Sequence, residues 1–224
     1  MRLISFLIFV IFSFGYAKDF VIIDKPIDFS VNRIDGTKKY IKTHYGLDVK
    51  DITIDPKIIV LHWTAVPTLE GSFDRLKPEK LLTDRKDIAA AGAVNVSAHF
   101  LVDRDGTIYR LMPENMMARH IIGLNYFSIG IENVGGKGDK TEDLTKAQVE
   151  ANAYLVRYLK NKYPKIEYLM GHHEYFMMKK SSYWLERDPN YFTHKNDPGD
   201  KFMSEVRSRV KDLHLYAPAL TRDL

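Results

Sequence analysis

The stretch IIVLHWT at residues 58–64 decides the fold class of this chain. Its first four residues are all apolar and show no polar–apolar alternation, which is typical of a strand buried on both faces of a sheet. Two polar side chains, His62 and Thr64, then lie on one side of the strand because side chains alternate along it. The stretch therefore predicts an α/β domain with polar side chains where a central strand ends.

Outward from this strand, further strands and helices are intermixed, without internal repeats. Strands are predicted at 97–102, 107–112, 128–132 and 166–170, and helices at 38–43, 72–92, 145–163 and 202–213. The helix beginning at Thr145 has the strongest signal, because Thr145 and Gln148 have capping-box spacing and Pro164 follows its apolar stripe. A turn at 103–106 makes the first two strands a hairpin. These elements predict a single α/β domain with a central mixed β-sheet flanked by helices.

The first 17 residues have the pattern of a secretory signal peptide. Arg2 supplies a positive charge, residues 3–14 are almost wholly apolar, and Ala17 ends a small-x-small exit. The apolar run is shorter than the roughly 20 residues that a bilayer-spanning helix needs. We therefore predict cleavage after Ala17, no membrane anchor after signal removal, and a periplasmic or secreted location.

The composition limits the available chemistry. The 224 residues include eight histidines and no cysteine. Disulfides, thiolate metal ligands and a cysteine nucleophile are therefore excluded, and any metal must be held by imidazole and carboxylate groups. The formal charge of +4 is small and scattered, so it does not indicate a nucleic-acid partner. Nothing in the sequence indicates the oligomeric state.

Two later segments carry further candidate side chains. GHH at 171–173 follows a predicted strand, and KNDPG at 195–199 is a turn sequence that contains a carboxylate. Taken singly, each residue also fits a structural role: His62 as a core histidine, Asp197 as a turn former and Lys195 as a surface lysine. His172 and His173 should point apart, so no more than one of them is expected to share a site with His62.

Five short motifs, taken together and in order, resemble one enzyme family. They are LHWTA at 61–65, VSAHF at 96–100, SIGIE at 128–132, GH at 171–172 and K-x-D-P-G at 195–199. They are similar to motifs of the zinc-dependent N-acetylmuramoyl-L-alanine amidases of the type-2 amidase family, which includes T7 lysozyme-type amidases and peptidoglycan recognition proteins. The resemblance covers roughly residues 56–212 and implies the fold of that family.

The resemblance implies that His62, His172 and Asp197 bind Zn²⁺. Two imidazoles and one carboxylate suit a catalytic zinc that keeps its fourth position open for water. It also implies that Glu132 is the general base and then acid, and that Lys195 stabilises the charged tetrahedral intermediate. The implied reaction hydrolyses the amide bond between N-acetylmuramoyl and L-alanine in peptidoglycan or its fragments.

Several assignments stay open at this stage. Asp188, which precedes Pro189, competes with Asp197 as a ligand, and the choice of His172 over His173 rests on the resemblance alone. Among the remaining histidines we expect a structural role for His99, leave His120 undecided, and place His44, His194 and His214 on the surface.

Two other functions also remain open. One is a non-catalytic muropeptide-binding module, although no ligand position is missing, and the other is a zinc peptidase acting on the stem peptide. The predicted organisation is a signal peptide at 1–17, an N-terminal extension at 18–55, a zinc amidase domain at 56–214 and a C-terminal tail at 215–224. The role of the extension and the other substrate-binding residues are not indicated.

Overall fold

The computed structural model describes residues 20–137 and 142–218. The predicted signal peptide at 1–17 and residues 219–224 of the predicted tail lie outside the described residues. Within the described ranges, no helix combines the length and the apolar character needed to cross a membrane.

A six-stranded sheet forms the centre of the molecule. Its strands are β1 (Ile22–Asp24), β2 (Ile58–Leu61), β3 (Phe100–Val102), β4 (Ile108–Arg110), β5 (Ser128–Asn133) and β6 (Tyr168–Gly171). The spatial order is β1-β4-β3-β5-β2-β6, in which β3 and β4 pair antiparallel and all other neighbours pair parallel. The predicted mixed sheet is confirmed, and all four residues of β2 are buried as its apolar sequence indicates.

In the described parts of the chain the sheet is accompanied by four α-helices, α1 (Val31–Tyr40), α2 (Leu69–Leu76), α3 (Lys146–Lys162) and α4 (Asp200–Arg209). The predicted cap of α3 is confirmed, since the Thr145 side chain accepts from the Gln148 backbone and the Gln148 side chain accepts in return. The apolar sides of α3 and α4 pack with Ile59 and Leu61 of β2 in one core cluster. These two helices therefore cover one face of the sheet.

The predicted helix at 72–92 is wrong over most of its length. Helix α2 ends at Leu76, and the chain is irregular up to a short 3₁₀ turn at Ala89–Ala91. The physical reason is Pro78, which has no amide proton to donate to a continuing helix and whose ring would clash with the carbonyl of Asp74, four residues earlier. Smaller differences occur elsewhere: α1 begins before the predicted 38–43 and continues as a π-helical turn at Ile41–Tyr45, and α4 ends at Arg209.

The N-terminal segment, residues 20–55, packs onto this framework. Strand β1 pairs with β4 at the sheet edge, and Arg33 of α1 is buried. The Arg33 guanidinium donates to the carbonyl oxygens of Lys77 and Pro78 at 3.1 and 2.6 Å. The segment thus holds the chain just after α2 in place. The predicted domain boundaries at 17/18, 55/56 and 214/215 stay a prediction.

Strand register determines where the polar side chains lie. Because β5, β2 and β6 are parallel neighbours, their carboxyl ends meet at one edge of the sheet. Val60 is paired with both Gly130 and Met170. Two residues further on, alternation places His62, Glu132 and His172 at this edge on the same face, opposite to α3 and α4. Ligand sites in α/β sheets commonly occur at such an edge.

Candidate metal centre and active-site cleft

Three potential ligand atoms converge at the carboxyl edge. The Nδ1 atoms of His62 and His172 lie 3.0 Å apart, and each lies 3.1 Å from Oδ2 of Asp197. All three residues are buried. Ligand atoms around a tetrahedral zinc, each about 2.0–2.2 Å from the metal, are about 3.3–3.5 Å from one another. The observed spacing therefore fits a metal site after a small expansion.

His173, the residue after His172, holds the turn that carries Asp197. The His173 backbone donates to the Asp197 carbonyl at 2.9 Å, and the His173 ring lies within hydrogen-bond distance of that carbonyl and of Asp200 Oδ1. The two adjacent histidines point apart as expected, and His172 is the one in the cluster. Asp188 is exposed and accepts from the Asn190 backbone, outside the cluster.

The electrostatics of the cluster favour metal binding. Burial lowers the pKa of His172 to about 4, so its imidazole is neutral at neutral pH. Burial alone would raise the pKa of Asp197, but the adjacent His172 and His62 rings outweigh it and hold that pKa below its usual range. A neutral imidazole beside an ionised carboxylate is the form that binds a metal without first losing protons.

His120, which the sequence left undecided, is a hydrogen-bond partner of His62. The Ser128 hydroxyl donates to the Leu124 carbonyl at 2.9 Å, so it must accept from His120 Nε2, which lies 3.1 Å away. His120 Nδ1 is then unprotonated and accepts from His62 Nε2 at 3.0 Å. This chain of hydrogen bonds assigns the ring proton of His62 to Nε2 and leaves its Nδ1 lone pair for a metal.

The close approach of His120 depends on a glycine. A Cβ atom on Gly130 would lie 2.7 Å from the His120 ring, well inside van der Waals contact. The glycine of the SIGIE motif therefore makes room on β5 for the ring that orients His62.

Glu132 and Lys195 line the same cleft, whose volume is about 440 Å³, together with the three ligand candidates. Glu132 Oε2 is buried and has no hydrogen-bond partner among the described residues. Burial raises the pKa of Glu132 well above its ordinary value, the charge of Asp197 adds to this, and Lys195 partly offsets it. A buried carboxyl oxygen without a partner costs free energy, which indicates that a ligand or water uses it.

Sequence reasoning missed the cleft residues that come from the last turn of α2 and from the irregular chain after it. Arg75 and Arg85 line the cleft and pair with Asp84 at 3.0 Å and Asp87 at 3.1 Å, respectively. Asn95 also lines it, and its amide donates to the Arg75 carbonyl. The only sequence signal was a cluster of charges in a segment that also has helical composition.

The remaining histidines divide into structural and exposed ones. His99 is structural as expected: its ring accepts from the Gly130 backbone and bonds the Met116 carbonyl, and burial lowers its pKa to about 4. His194 and His214 are exposed as expected. The surface prediction for His44 is wrong, because its ring is buried beneath contacts with residues distant in sequence.

Comparisons with known proteins show the family to which this chain belongs. The family model described as N-acetylmuramoyl-L-alanine amidase matches residues 53–200. The endolysin of Enterobacteria phage K11 is 31% identical and that of Escherichia phage T7 is 34% identical, each over 99 residues, or 43% of this chain. In both cases the chain spans 65% of the length of the phage protein.

A third relative is matched over more of its length. The 1,6-anhydro-N-acetylmuramyl-L-alanine amidase AmpD of Escherichia coli (strain K12) is 31% identical over 152 residues, covering 62% of this chain and 79% of AmpD. Among solved structures, the endolysin LysCS of Clostridium intestinale URNW has a TM-score of 0.53 at 22% identity, over 85% of this chain and 95% of that one, which supports the fold. The chain therefore belongs to the N-acetylmuramoyl-L-alanine amidase family.

Proposed function

We propose that this protein is a zinc-dependent amidase that hydrolyses the bond between N-acetylmuramoyl and L-alanine in peptidoglycan or its fragments. The observation that carries the proposal is the convergence of His62, His172 and Asp197 beside the unpartnered carboxyl oxygen of Glu132. Membership of the amidase family and the names of the relatives support the substrate class.

The donor set suits zinc better than a harder cation. Two neutral imidazoles and one carboxylate match a catalytic zinc site, whereas magnesium and calcium prefer oxygen ligands. Bound zinc would polarise the substrate carbonyl and lower the pKa of a coordinated water toward about 7. His120 contributes by holding the His62 ring with its Nδ1 lone pair toward the cluster.

The side chains of the chain itself move the proton and stabilise charge. The Glu132 carboxylate takes a proton from the attacking water as the water oxygen bonds to the carbonyl carbon. It then gives that proton to the alanine nitrogen as the C–N bond breaks, and its raised pKa suits both roles near neutral pH. The Lys195 ammonium stabilises the negative charge that develops on the carbonyl oxygen. The products are a muramoyl carboxylate and a stem peptide with a free amine.

The site of action follows from the substrate and the N-terminal pattern. We place the mature protein in the periplasm or outside the cell, after cleavage behind Ala17 and without a membrane anchor. N-terminal sequencing of the protein recovered from the periplasm or medium tests this, with residue 18 expected as the first residue. Recovery of the intact N-terminus in the cytoplasm would contradict it.

Product analysis tests the reaction. Zinc-loaded protein is incubated with cell-wall sacculi, and mass spectrometry should find stem peptides that begin with a free L-alanine amine. EDTA should abolish this release and added zinc should restore it, with Glu132→Gln as the matched inactive control. Products cut between amino acids would indicate a stem peptidase, and binding without turnover at saturating zinc would indicate a binding module. Cleavage that survives complete metal removal would contradict the mechanism.

A further inference from the structure

The long connection between His172 and Asp197 carries an aromatic groove that the proposed reaction does not use. Its volume is about 210 Å³, and its lining includes four aromatic rings: Phe176, Trp184, Tyr191 and Phe192. Phe176 and Phe192 are 46% and 47% exposed although their ring centres lie only 4.8 Å apart. Large adjacent apolar rings left open to solvent are a common mark of a binding surface.

Ring contacts through the buried Tyr175 link the groove to the candidate metal centre. The His172 ring contacts Tyr175 at 5.6 Å between centres, and the Tyr175 ring stacks on Phe192 at 5.9 Å. The Tyr175 hydroxyl also donates to the Thr193 carbonyl at 2.8 Å, which fixes the chain two residues before Lys195. Two ring contacts therefore separate a metal ligand candidate from an exposed ring of the groove.

The polar groups around the rings indicate the chemistry of the ligand. Two basic side chains, Lys179 and Arg187, line the groove together with two acidic ones, Glu186 and Asp188. The Glu186 side chain is buried and bonded by His44 and by two backbone amides, so the exposed charges of the groove are Lys179, Arg187 and Asp188. Charged groups of both signs suit a ligand with many hydroxyl and amide groups, which both donate and accept hydrogen bonds. Aromatic faces are electron-rich and attract the polarised C–H groups of a sugar ring, while the surrounding charged groups can bond its hydroxyls.

We infer that this aromatic groove binds the neutral glycan strand on either side of the muramoyl group whose amide is cut, an inference that rests on the proposed function. In an intact strand the muramoyl carboxylate is tied up in the amide bond, so the neighbouring sugars carry no charge. The groove therefore fits polymeric peptidoglycan and its longer fragments, and it would favour them over single-sugar muropeptides.

Binding can be measured without catalysis. Oligomers of β-1,4-linked N-acetylglucosamine contain no muramoyl amide, so calorimetry on the zinc-loaded protein reports binding alone. We expect saturable binding that Phe192→Ala weakens about tenfold, the order of magnitude for removing one stacked ring, and that Phe192→Tyr preserves. Tyr216→Ala is the matched control, since Tyr216 is 63% exposed and contacts Tyr168 at the opposite end of β6. Thermal melting and zinc content of each variant report on folding.

Turnover then links the groove to the reaction. For Phe192→Ala, the kcat/KM on glycan-linked substrate should fall at least fivefold more than that on a single-sugar muropeptide, mainly through KM. Absence of oligomer binding by the wild-type protein, an equal loss in Tyr216→Ala, or binding to anionic lipid vesicles in place of the oligomer would overturn the inference. Oligomer binding without hydrolysis of any muropeptide would instead contradict the proposed function and leave the glycan groove in place.

Discussion

The buried pair His44–Glu186 and the buried pair His62–Asp197 both join a histidine to a carboxylate, and the two pairs differ in what else their atoms bond. His44 Nδ1 lies 3.0 Å from both carboxylate oxygens of Glu186, while its Nε2 donates to the Ala91 carbonyl. The Glu186 carboxylate also accepts from the backbone amides of Arg187 and Asp188. Every polar atom of this first pair therefore has a partner inside the protein.

In the second pair, His62 and Asp197, the hydrogen bonding of the polar atoms is incomplete. Asp197 Oδ2 faces two Nδ1 atoms at once, those of His62 and His172. In the neutral ring, the bonds through His120 and Ser128 place the His62 proton on Nε2 and leave the Nδ1 lone pair facing Asp197. A lone pair beside a carboxylate lacks a positive partner, and a metal cation supplies one. Both pairs are buried and both join a histidine to a carboxylate, so neither burial nor residue type identifies the candidate site. The site is identified by polar atoms that lack a complete set of partners inside the protein.

Removing a carboxylate from the cluster should have the largest effect. We expect Asp197→Ala to lose bound zinc and measurable turnover, a greater loss than the 10–100-fold typical of residues outside the ligand sphere. Metal analysis after dialysis and release of stem peptides measure both properties. Asp188→Ala, which changes the exposed competing carboxylate, should retain both. Zinc retained in Asp197→Ala and lost in Asp188→Ala would reverse the ligand assignment.

Changing Glu132 should separate chemistry from metal binding. Glu132→Gln keeps the size of the side chain but cannot take a proton, so kcat should fall by about 10²–10⁴ while zinc content stays at one per chain. Single-turnover kinetics and metal analysis provide the two readouts. A zinc-free Glu132→Gln protein would show that Glu132 is a ligand or a support of the cluster.

The raised pKa of Glu132 also predicts the direction of the pH dependence. Burial favours the protonated carboxyl, and only the deprotonated form can accept a proton from water. The value of kcat/KM should therefore fall on the acid side at a pH above the ordinary glutamate range. This limb should be absent from the residual activity of Glu132→Gln, and its persistence there would assign it to another group.

Replacing Lys195 should have the next largest effect on the reaction rate. Lys195→Met removes the charge and keeps most of the length, and we expect a decrease in kcat of about 10²–10³ with unchanged zinc content, as for loss of one group that stabilises an oxyanion. Lys195→Arg should recover part of the rate. An effect confined to KM would mean that Lys195 binds the substrate ground state and does not act on the developing charge.

Replacing His120 should have a smaller effect, and that effect should be on metal affinity. In His120→Phe the His62 Nε2–H loses its acceptor, so zinc affinity should fall about 10–100-fold. Competition with a chromogenic chelator measures this without any turnover. Ser128→Ala, which removes the acceptor of the His120 ring proton, should shift affinity in the same direction by less. Unchanged affinity in both variants would disprove an orienting role for this chain of hydrogen bonds.

Local sequence predicted those parts of the fold that depend on local bonding or on strand pattern. For this reason the sequence predicted the cap of α3 and the buried strand β2, and the five motifs indicated the three residues that converge at the candidate metal centre. The end of α2 was also marked locally by Pro78, but the helical composition of residues 77–92 outweighed it. The burial of His44 could not be predicted, because its partner Glu186 is 142 residues away.

His44 provides the smallest expected effect on catalysis and the sharpest test of the comparison. His44→Ala removes the ring that bonds both the buried Glu186 carboxylate and the Ala91 carbonyl, so the free energy of unfolding should fall by about 1–3 kcal/mol. Zinc affinity should stay unchanged, because the polar atoms of the first pair bond to each other and to nearby backbone groups, and none of them bonds to His62, His172 or Asp197. Chemical denaturation and chelator competition measure the two quantities, with the exposed His214→Ala as control. If His44→Ala also weakened zinc binding, the segment from Glu186 to Asp197 would transmit the disturbance, and the two pairs would form one coupled unit.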